Sequence, residues 1–362
     1  MEPSRSDGRG QEQVCLAGEP YELGRSHGEQ LRGGITSFLE DFLRQGEQVL
    51  GTPFALIRDS AKRLQATIPA EYLQEMQGIA DGAGLELEDV LALNSFVDTD
   101  LIHTSQRMTC ISVVAYGEAT ADGSLIHGRN TDYSDHGIFQ RTATVFACRP
   151  AKGHPYLSVA WSGFSGVLTA MNGAGLTVTE VGFVSHEVQP VATPAFFILR
   201  QIAQYASSLD EAVEIVASAK RTAGFNLTVT DYRIPEARAI EFTATRCGVR
   251  AGAHGRLIVA DNRLSKGMRK GQLAEPCAVA RYLRALELVE AEHGRIDVGL
   301  MQRLLADRFD LFLRAPGSSY SCICSRHTVQ SVVFEPQQRR VWVSNRHRPA
   351  PDGQYLPYTL PG

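Results

Sequence analysis

Cys110 opens the run Cys110-Ile111-Ser112-Val113-Val114-Ala115-Tyr116, which is apolar with a β-branched bias and reads as a strand. A turn at Asp122-Gly123 follows, then Leu125-Ile126, then Gly128-Arg129-Asn130-Thr131-Asp132. Strand, Gly-containing turn and returning strand make a hairpin, which carries Asp132 back toward the end where Cys110 sits. A thiol beside a carboxylate and an arginine can be held as a reactive thiolate. Each of these residues also has a plainer reading. Free cysteine is among the most buried side chains, Asn130 and Asp132 suit turns, and Arg129 can be a solvated strand residue. His327 follows Cys324-Ser325-Arg326 and could serve as the base of a papain-like Cys-His pair. Cys322-Ile323-Cys324 lacks CxxC spacing and a second pair nearby, so it does not read as a zinc site.

Residues 14–109, the elements before this hairpin, read mainly as helix. In Gly28 to Leu50 the apolar residues Leu31, Ile35, Phe38, Leu39, Phe42 and Leu43 recur at helical spacing, and Pro53 to Thr67 and Glu71 to Ala83 continue the pattern up to a stop at Gly82 and Gly84. From Cys110 to Ser185 the period changes to two, with strands expected at Thr142 to Cys148, Tyr156 to Trp161 and Gly175 to Val181. A helix pair follows at Pro194 to Tyr205 and Ser208 to Lys220, the second capped by Ser208 or Asp210. Strands are expected again at Asn226 to Asp231, Ala239 to Thr243 and Arg256 to Ala260, then helices at Glu275 to Glu292 and Val298 to Arg308. A closing hairpin joins Thr328 to Glu335 with Arg340 to Asn345 through Gln337-Gln338. The pattern alone says α+β.

The chain has 362 residues, 43% hydrophobic and 21% charged, enough to bury a sizeable core. A formal charge of −4 argues against a nucleic-acid partner. No apolar run is long enough to cross a membrane, so no membrane partner is expected. Residues 1–13 are polar and read as a disordered tail rather than a signal peptide. Seven cysteines without scaffold-like spacing suit a reducing cytoplasm.

The run from Cys110 to Asp132 resembles the start of the β-chain in the acyl-coenzyme A:6-aminopenicillanic acid acyltransferase family of N-terminal-nucleophile (Ntn) hydrolases. Glu19 to Gly28 looks like that family's opening strand-to-helix segment, Ala70 to Ala83 its second helix, and Asp89 to Ser95 the short helix after it. Gly163 to Leu176 matches its central hairpin. The resemblance implies a four-layer α-β-β-α sandwich with a helical N-terminal segment. It also implies that residues 14–109 form a pro-segment and residues 110–362 a β-chain, together one integrated domain. Such a precursor cuts itself before the cysteine; the freed α-amine is the general base and the thiol the nucleophile. By the same resemblance Asp132 lies near the nucleophile and the new amine. Asn262, in Leu257-Ile258-Val259-Ala260-Asp261-Asn262-Arg263, supplies the oxyanion hole; an Asx turn at a strand end is its plainer reading. Arg326 stands near the active site, with one more residue after Cys324 than in the family pattern, and could equally be a surface-loop residue. Asn94 and Asp98 fall near the cleavage site, where a helix-ending Asn is the simpler reading. Tyr133, Phe139, Trp161, Phe164 and Phe183 are core aromatics of which a subset can line an acyl pocket.

These expectations describe an amidohydrolase or acyltransferase that passes an acyl group through a thioester on Cys110, with no resident cofactor and no metal. Its partners would be a small-molecule acyl amide or amine, with a coenzyme A thioester left open as acyl donor. The two fragments would stay associated, and a homo-oligomer is left open. One departure matters: the residue before the nucleophile is Thr109, where the family usually has Gly. A β-branched residue is stiffer at the bond that must break. Thr109 therefore sustains a different reading, an unprocessed and catalytically silent relative that binds an acylated or peptide-like ligand.

Overall fold

The computed structural model describes residues 13–44, 52–103, 109–133, 137–183, 185–260, 268 and 275–360. The chain enters through strand β1 (Gln13–Gly18) and helix α1 (Pro20–Ser37), whose Pro20 suits the first turn, where no N–H is needed. A π-helical segment, Phe38–Arg44, extends it. Helices α2 (Phe54–Gln65), α3 (Ala70–Ala83) and α4 (Leu87–His103) follow. Helix α3 stops at Gly84 in the left-handed conformation (φ 72°). Gly82, expected to help stop it, packs against α1 instead. A Cβ on Gly24 of α1 would lie 1.8 Å from the Glu75 carbonyl oxygen of α3, and one on Gly82 would lie 2.4 Å from the Arg25 carbonyl oxygen. The two backbones therefore touch along a strip that only glycine permits.

After Thr109 the chain builds two sheets. Strands β2 (Thr109–Gly117) and β3 (Gly123–Asp132) form the expected hairpin. Short helix α5 (Ile138–Thr142) leads to β4 (Ala143–Pro150), β5 (Tyr156–Trp161), β6 (Thr169–Asn172) and β7 (Leu176–Phe183). Helices α6 (Ala195–Tyr205) and α7 (Leu209–Ser218) precede β8 (Gly224–Asp231), β9 (Glu236–Phe242), β10 (Cys247–Ala251) and β11 (Arg256–Ala260). Helices α8 (Pro276–Ala291) and α9 (Val298–Leu305) come next. The chain closes with a small hairpin, β12 (Phe309–Asp310) and β13 (Ala315–Pro316), and then β14 (Thr328–Glu335), β15 (Arg340–Ser344) and β16 (Leu356–Thr359).

One sheet has eight strands in the order β1-β4-β5-β6-β7-β8-β9-β10; the other has six, β11-β2-β3-β14-β15-β16. Alternation along β2 sorts its residues between two layers. Cys110 and Val114 face the other sheet and pack with Val181, Ala237, Ala239, Leu257 and Val259. Ile111, Val113 and Ala115 face away and pack beneath Ala285, Val289, Met301 and Leu305 of α8 and α9. The far face of the eight-stranded sheet is covered by α6, α7 and the N-terminal helices in one large cluster. The result is helix, sheet, sheet, helix, the four-layer arrangement expected.

Local chemistry explains most boundaries. Ser208 caps α7, its hydroxyl accepting the Glu211 N–H at 3.2 Å, while Asp210 pairs with Arg238. The closing hairpin turns at Pro336–Gln338, with Arg339 in the left-handed region. Helix α1 begins eight residues before the expected Gly28, and α4 runs on to His103, so Asn94 is mid-helix rather than at a helix end.

Candidate active site

In the β2–β3 ladder Thr109 stands opposite Asp132, and Cys110 opposite Thr131. Because side chains alternate, Cys110 and Asp132 share an end of the ladder but face opposite layers. The Cys110 thiol points between the sheets and is wholly buried. It meets a buried ion pair there, Arg129 of β3 with Glu180 of β7. Arg129 Nη2 lies 3.8 Å from Sγ, and the thiol donates toward Glu180 Oε1 at 4.0 Å. Arg129 also donates to the Glu180 carbonyl (3.0 Å), to Gln330 Oε1 (3.1 Å) and to the Thr169 hydroxyl. Gln330 in turn donates to the Val159 carbonyl at 3.2 Å. Strands β3, β5, β6, β7 and β14 therefore all fix one guanidinium beside one sulfur.

Electrostatics set the resting protonation state. Burial pushes the Cys110 thiol far up, Glu180 pushes it further, and Arg129 only partly opposes them. Burial likewise raises the Glu180 carboxyl against the pull of Arg129. Cys110 therefore rests as a thiol, and a nucleophilic step needs a base to take its proton. His127, on the same face as Arg129, is held down to about 3 by burial and by Arg129 and is a neutral imidazole lodged between Thr177 and Thr179.

Asp132 lies on the α8–α9 side, its Oδ1 accepting from the Thr328 hydroxyl at 2.6 Å. Its backbone stands opposite Thr109, beside the Thr109–Cys110 peptide, and also bonds the Cys110 sulfur. Asp132 thus acts on the thiol as well as on the peptide, and its carboxylate pushes the thiol up. The Thr109 backbone is regular strand, and nothing is described of its side chain. Asn262 lies outside the described residues. Arg326 is exposed just before β14; its Nε donates to His327 Nε2 at 3.0 Å, and among the described residues it does not reach the thiol. His327 stacks on Tyr320 (4.3 Å between ring centres).

Asn94 clamps the loop after β5, accepting N–H bonds from Ser165 (2.8 Å) and Gly166 (3.3 Å) and donating to the Gly163 carbonyl (3.0 Å). Asp98 accepts the Ala195 N–H at the start of α6, and also the Thr222 hydroxyl. Tyr133, Phe139, Trp161 and Phe164 join one aromatic stack with Phe38 and Phe96, whereas Phe183 packs apart with Met268. A cavity of about 10 Å³ between Thr131, Phe139, Trp161, Gln330 and Asn345 adjoins the cross-strand neighbour of Cys110.

Sequence reasoning missed Glu180 and left Arg129 between two readings, a partner of the thiol or a solvated strand residue. The signal for Glu180 was a lone carboxylate in the otherwise apolar and Thr-rich strand Leu176–Phe183. Among the described residues no cluster of three His, Cys, Asp or Glu side chains is placed to hold a metal, and no helix is long and apolar enough to cross a membrane.

The family model for acyl-coenzyme A:6-aminopenicillanic acid acyl-transferase matches residues 119–348, well over half of the chain. The chain belongs to this family. The match starts after Cys110 and contains Arg129, Asp132, Glu180, Asn262 and Arg326. An uncharacterized protein of Archaeoglobus fulgidus is 29% identical over 240 residues, 59% of this chain but only 40% of its own length. The 40 kDa form of the acyl-coenzyme A:6-aminopenicillanic-acid acyltransferase of Emericella nidulans is 25% identical over 255 residues, 68% of this chain and 67% of its own. The solved N-acylethanolamine-hydrolyzing acid amidase ortholog of Caenorhabditis elegans superposes with a TM-score of 0.46 at 17% identity, covering 70% of this chain and all of that one.

Proposed function

We propose that this family member is a self-processing Ntn amidohydrolase or acyltransferase that makes or breaks amide bonds through a thioester on Cys110. The observation that carries the reading is the Cys110 thiol at the head of β2, held against the Arg129–Glu180 pair in a dry site. In processing, Sγ attacks the Thr109 carbonyl carbon, the C–N bond to Cys110 breaks as nitrogen takes a proton, and water then hydrolyses the resulting thioester. The products are a Thr109 carboxylate and a free Cys110 α-amine. Asp132, flanking that peptide bond, holds the resulting ammonium or amine.

In turnover the α-amine takes the thiol proton as Sγ attacks the substrate carbonyl, and it returns that proton to the leaving amine. In this reading Asn262 donates to the oxyanion. Water resolves the thioester to an acid, or a second amine resolves it to a new amide. A coenzyme A thioester can load Cys110 in place of an amide. The relative named as an acyltransferase supports acyl transfer.

N-terminal sequencing and intact mass measurement test the reading. A second sequence starting Cys110-Ile111-Ser112, and a mass gain of one acyl group on that fragment after incubation with acyl amides, support it. Cys110→Ala should abolish both. An intact chain that still hydrolyses amides would sink the free-amine base, and turnover by Cys110→Ala would sink the nucleophile.

A further inference from the structure

After α9 the chain makes the β12–β13 hairpin, and Ile323 then returns it to the core. The hairpin tip carries two adjacent large apolar side chains, Phe312 (60% exposed) and Leu313 (69%). This exposure is built in. The buried Asp310 carboxylate accepts the N–H groups of Phe312 (2.9 Å) and Leu313 (3.2 Å) and the hydroxyls of Ser319 (2.7 Å) and Ser321 (2.5 Å). The turn is therefore held rigidly with its apolar tip outward.

The surface around the tip is cationic. Arg314 follows the tip and is exposed. At the base, the Arg326 N–H donates to the Ser318 carbonyl (2.9 Å) and Arg348 Nε to the Arg326 carbonyl (3.1 Å). Strand β15 runs antiparallel to β14, so exposed Arg346, just past its end, lies at the same end of the sheet. Arg314, Arg326 and Arg346 make no ion pair among the described residues. The acids nearby are engaged: Asp307 with Arg284, Asp352 with Arg308, and Asp310 inside the turn.

We propose that this hairpin docks the protein on an anionic lipid surface, with Phe312 and Leu313 entering the interfacial layer and Arg314, Arg326 and Arg346 meeting lipid phosphates. Two projecting side chains fall far short of the roughly 1,200 Å² or more that a stable protein interface buries. A bilayer accepts such a wedge without shape complementarity, and arginines at its rim pair with phosphate. The chain's net charge of −4 does not prevent this, because charges more than about 10 Å away are screened at ordinary salt. The sequence expectation of no membrane partner rested on the lack of a spanning segment, and surface docking needs none. Thr328, two residues past Arg326, bonds Asp132, so the docked end is also the end bearing Thr109 and Asp132. On the proposed function, which this consequence alone rests on, docking would present the site to amphiphilic acyl amides dissolved in the bilayer.

The test is co-sedimentation of the full chain with vesicles of phosphatidylcholine, with and without phosphatidylglycerol, at low and high salt. Wild type should sediment with phosphatidylglycerol-containing vesicles, less so at high salt. Phe312→Ser with Leu313→Ser should weaken partitioning by about tenfold or more, and Arg314→Glu with Arg346→Glu should remove the preference for phosphatidylglycerol. All four side chains are exposed, so the thermal midpoints of these variants should match wild type. Failure of the wild type to sediment, or double-serine protein that sediments like wild type, overturns the proposal. A Phe312- and Leu313-dependent dimer on gel filtration without vesicle binding assigns the tip to a second copy and also overturns it. A chain that binds vesicles but is never processed counts against the catalytic reading alone.

Discussion

Arg129 and Glu180 govern the chemistry of Cys110 more than any residue beside it in sequence. Each is wholly buried, and each neutralises the other. Removing one partner leaves an uncompensated charge in a dry site, so Glu180→Ala should destabilise the fold by about 3–5 kcal/mol in urea denaturation. Replacing both with apolar residues of similar size should cost less than either single change, because no charge is stranded. Equal losses for the single and double variants would mean that packing, not charge, is at stake. Asn262 makes a different kind of prediction. Asn262→Ala should lower kcat about a hundredfold or more with a smaller change in KM, as expected for a donor that acts in the transition state. A raised KM at unchanged kcat would make it a binding residue instead.

At the scale of elements, helix α4 is the unusual one, since it buries three carboxyls, Asp89, Asp98 and Asp100, the last two ahead of the proposed cut. Burial pushes Asp98 up to about 6, against its bonds from Thr222 and Ala195. Burial also pushes Asp100 up to about 7, against its bonds from Thr52 and Tyr133. The native state thus holds protons that the unfolded chain releases near pH 4, and stability should fall as pH rises from about 4 to about 7. Asp100→Asn should flatten that fall, which urea titrations at several pH values would show; an unchanged slope would remove Asp100 as its source.

The same scale shows what the chain discloses by pattern. The β-branched runs of β2, β7 and β14 announce strands because both their faces are buried, and Gly and Pro mark their ends. Strand β10 escaped notice because Gly248 and Arg250 dilute an exposed edge. Gly82 was read as a stop signal because local pattern cannot distinguish a terminating glycine from one pressed against a neighbouring helix. Cys110 was legible from its place at the head of a strand and the hairpin after it. Glu180 was not, because a single carboxylate in a Thr-rich strand looks solvent-facing until a second sheet brings Arg129 to it.

The whole molecule is sewn together across the proposed cut. One buried cluster takes Val14, Ile35, Leu93 and Phe96 from before Thr109 and Phe146, Phe196, Phe225 and Phe242 from after it. The two products should therefore co-elute on gel filtration without denaturant and part only when it is added; separation in native buffer would show that the shared core does not bind them. The closed setting of Cys110 has a further consequence for how the protein meets electrophiles. Cys15 and Cys247 are exposed, while Cys110 is sealed and protonated. A limiting dose of iodoacetamide should therefore alkylate the exposed Cys15 and Cys247 before Cys110, so that peptide mapping of the label separates the two accessible thiols from the one the fold encloses. Early modification of Cys110 would mean that the seal opens on the timescale of the reagent, which makes its alkylation rate a direct gauge of how often the site is reached from outside.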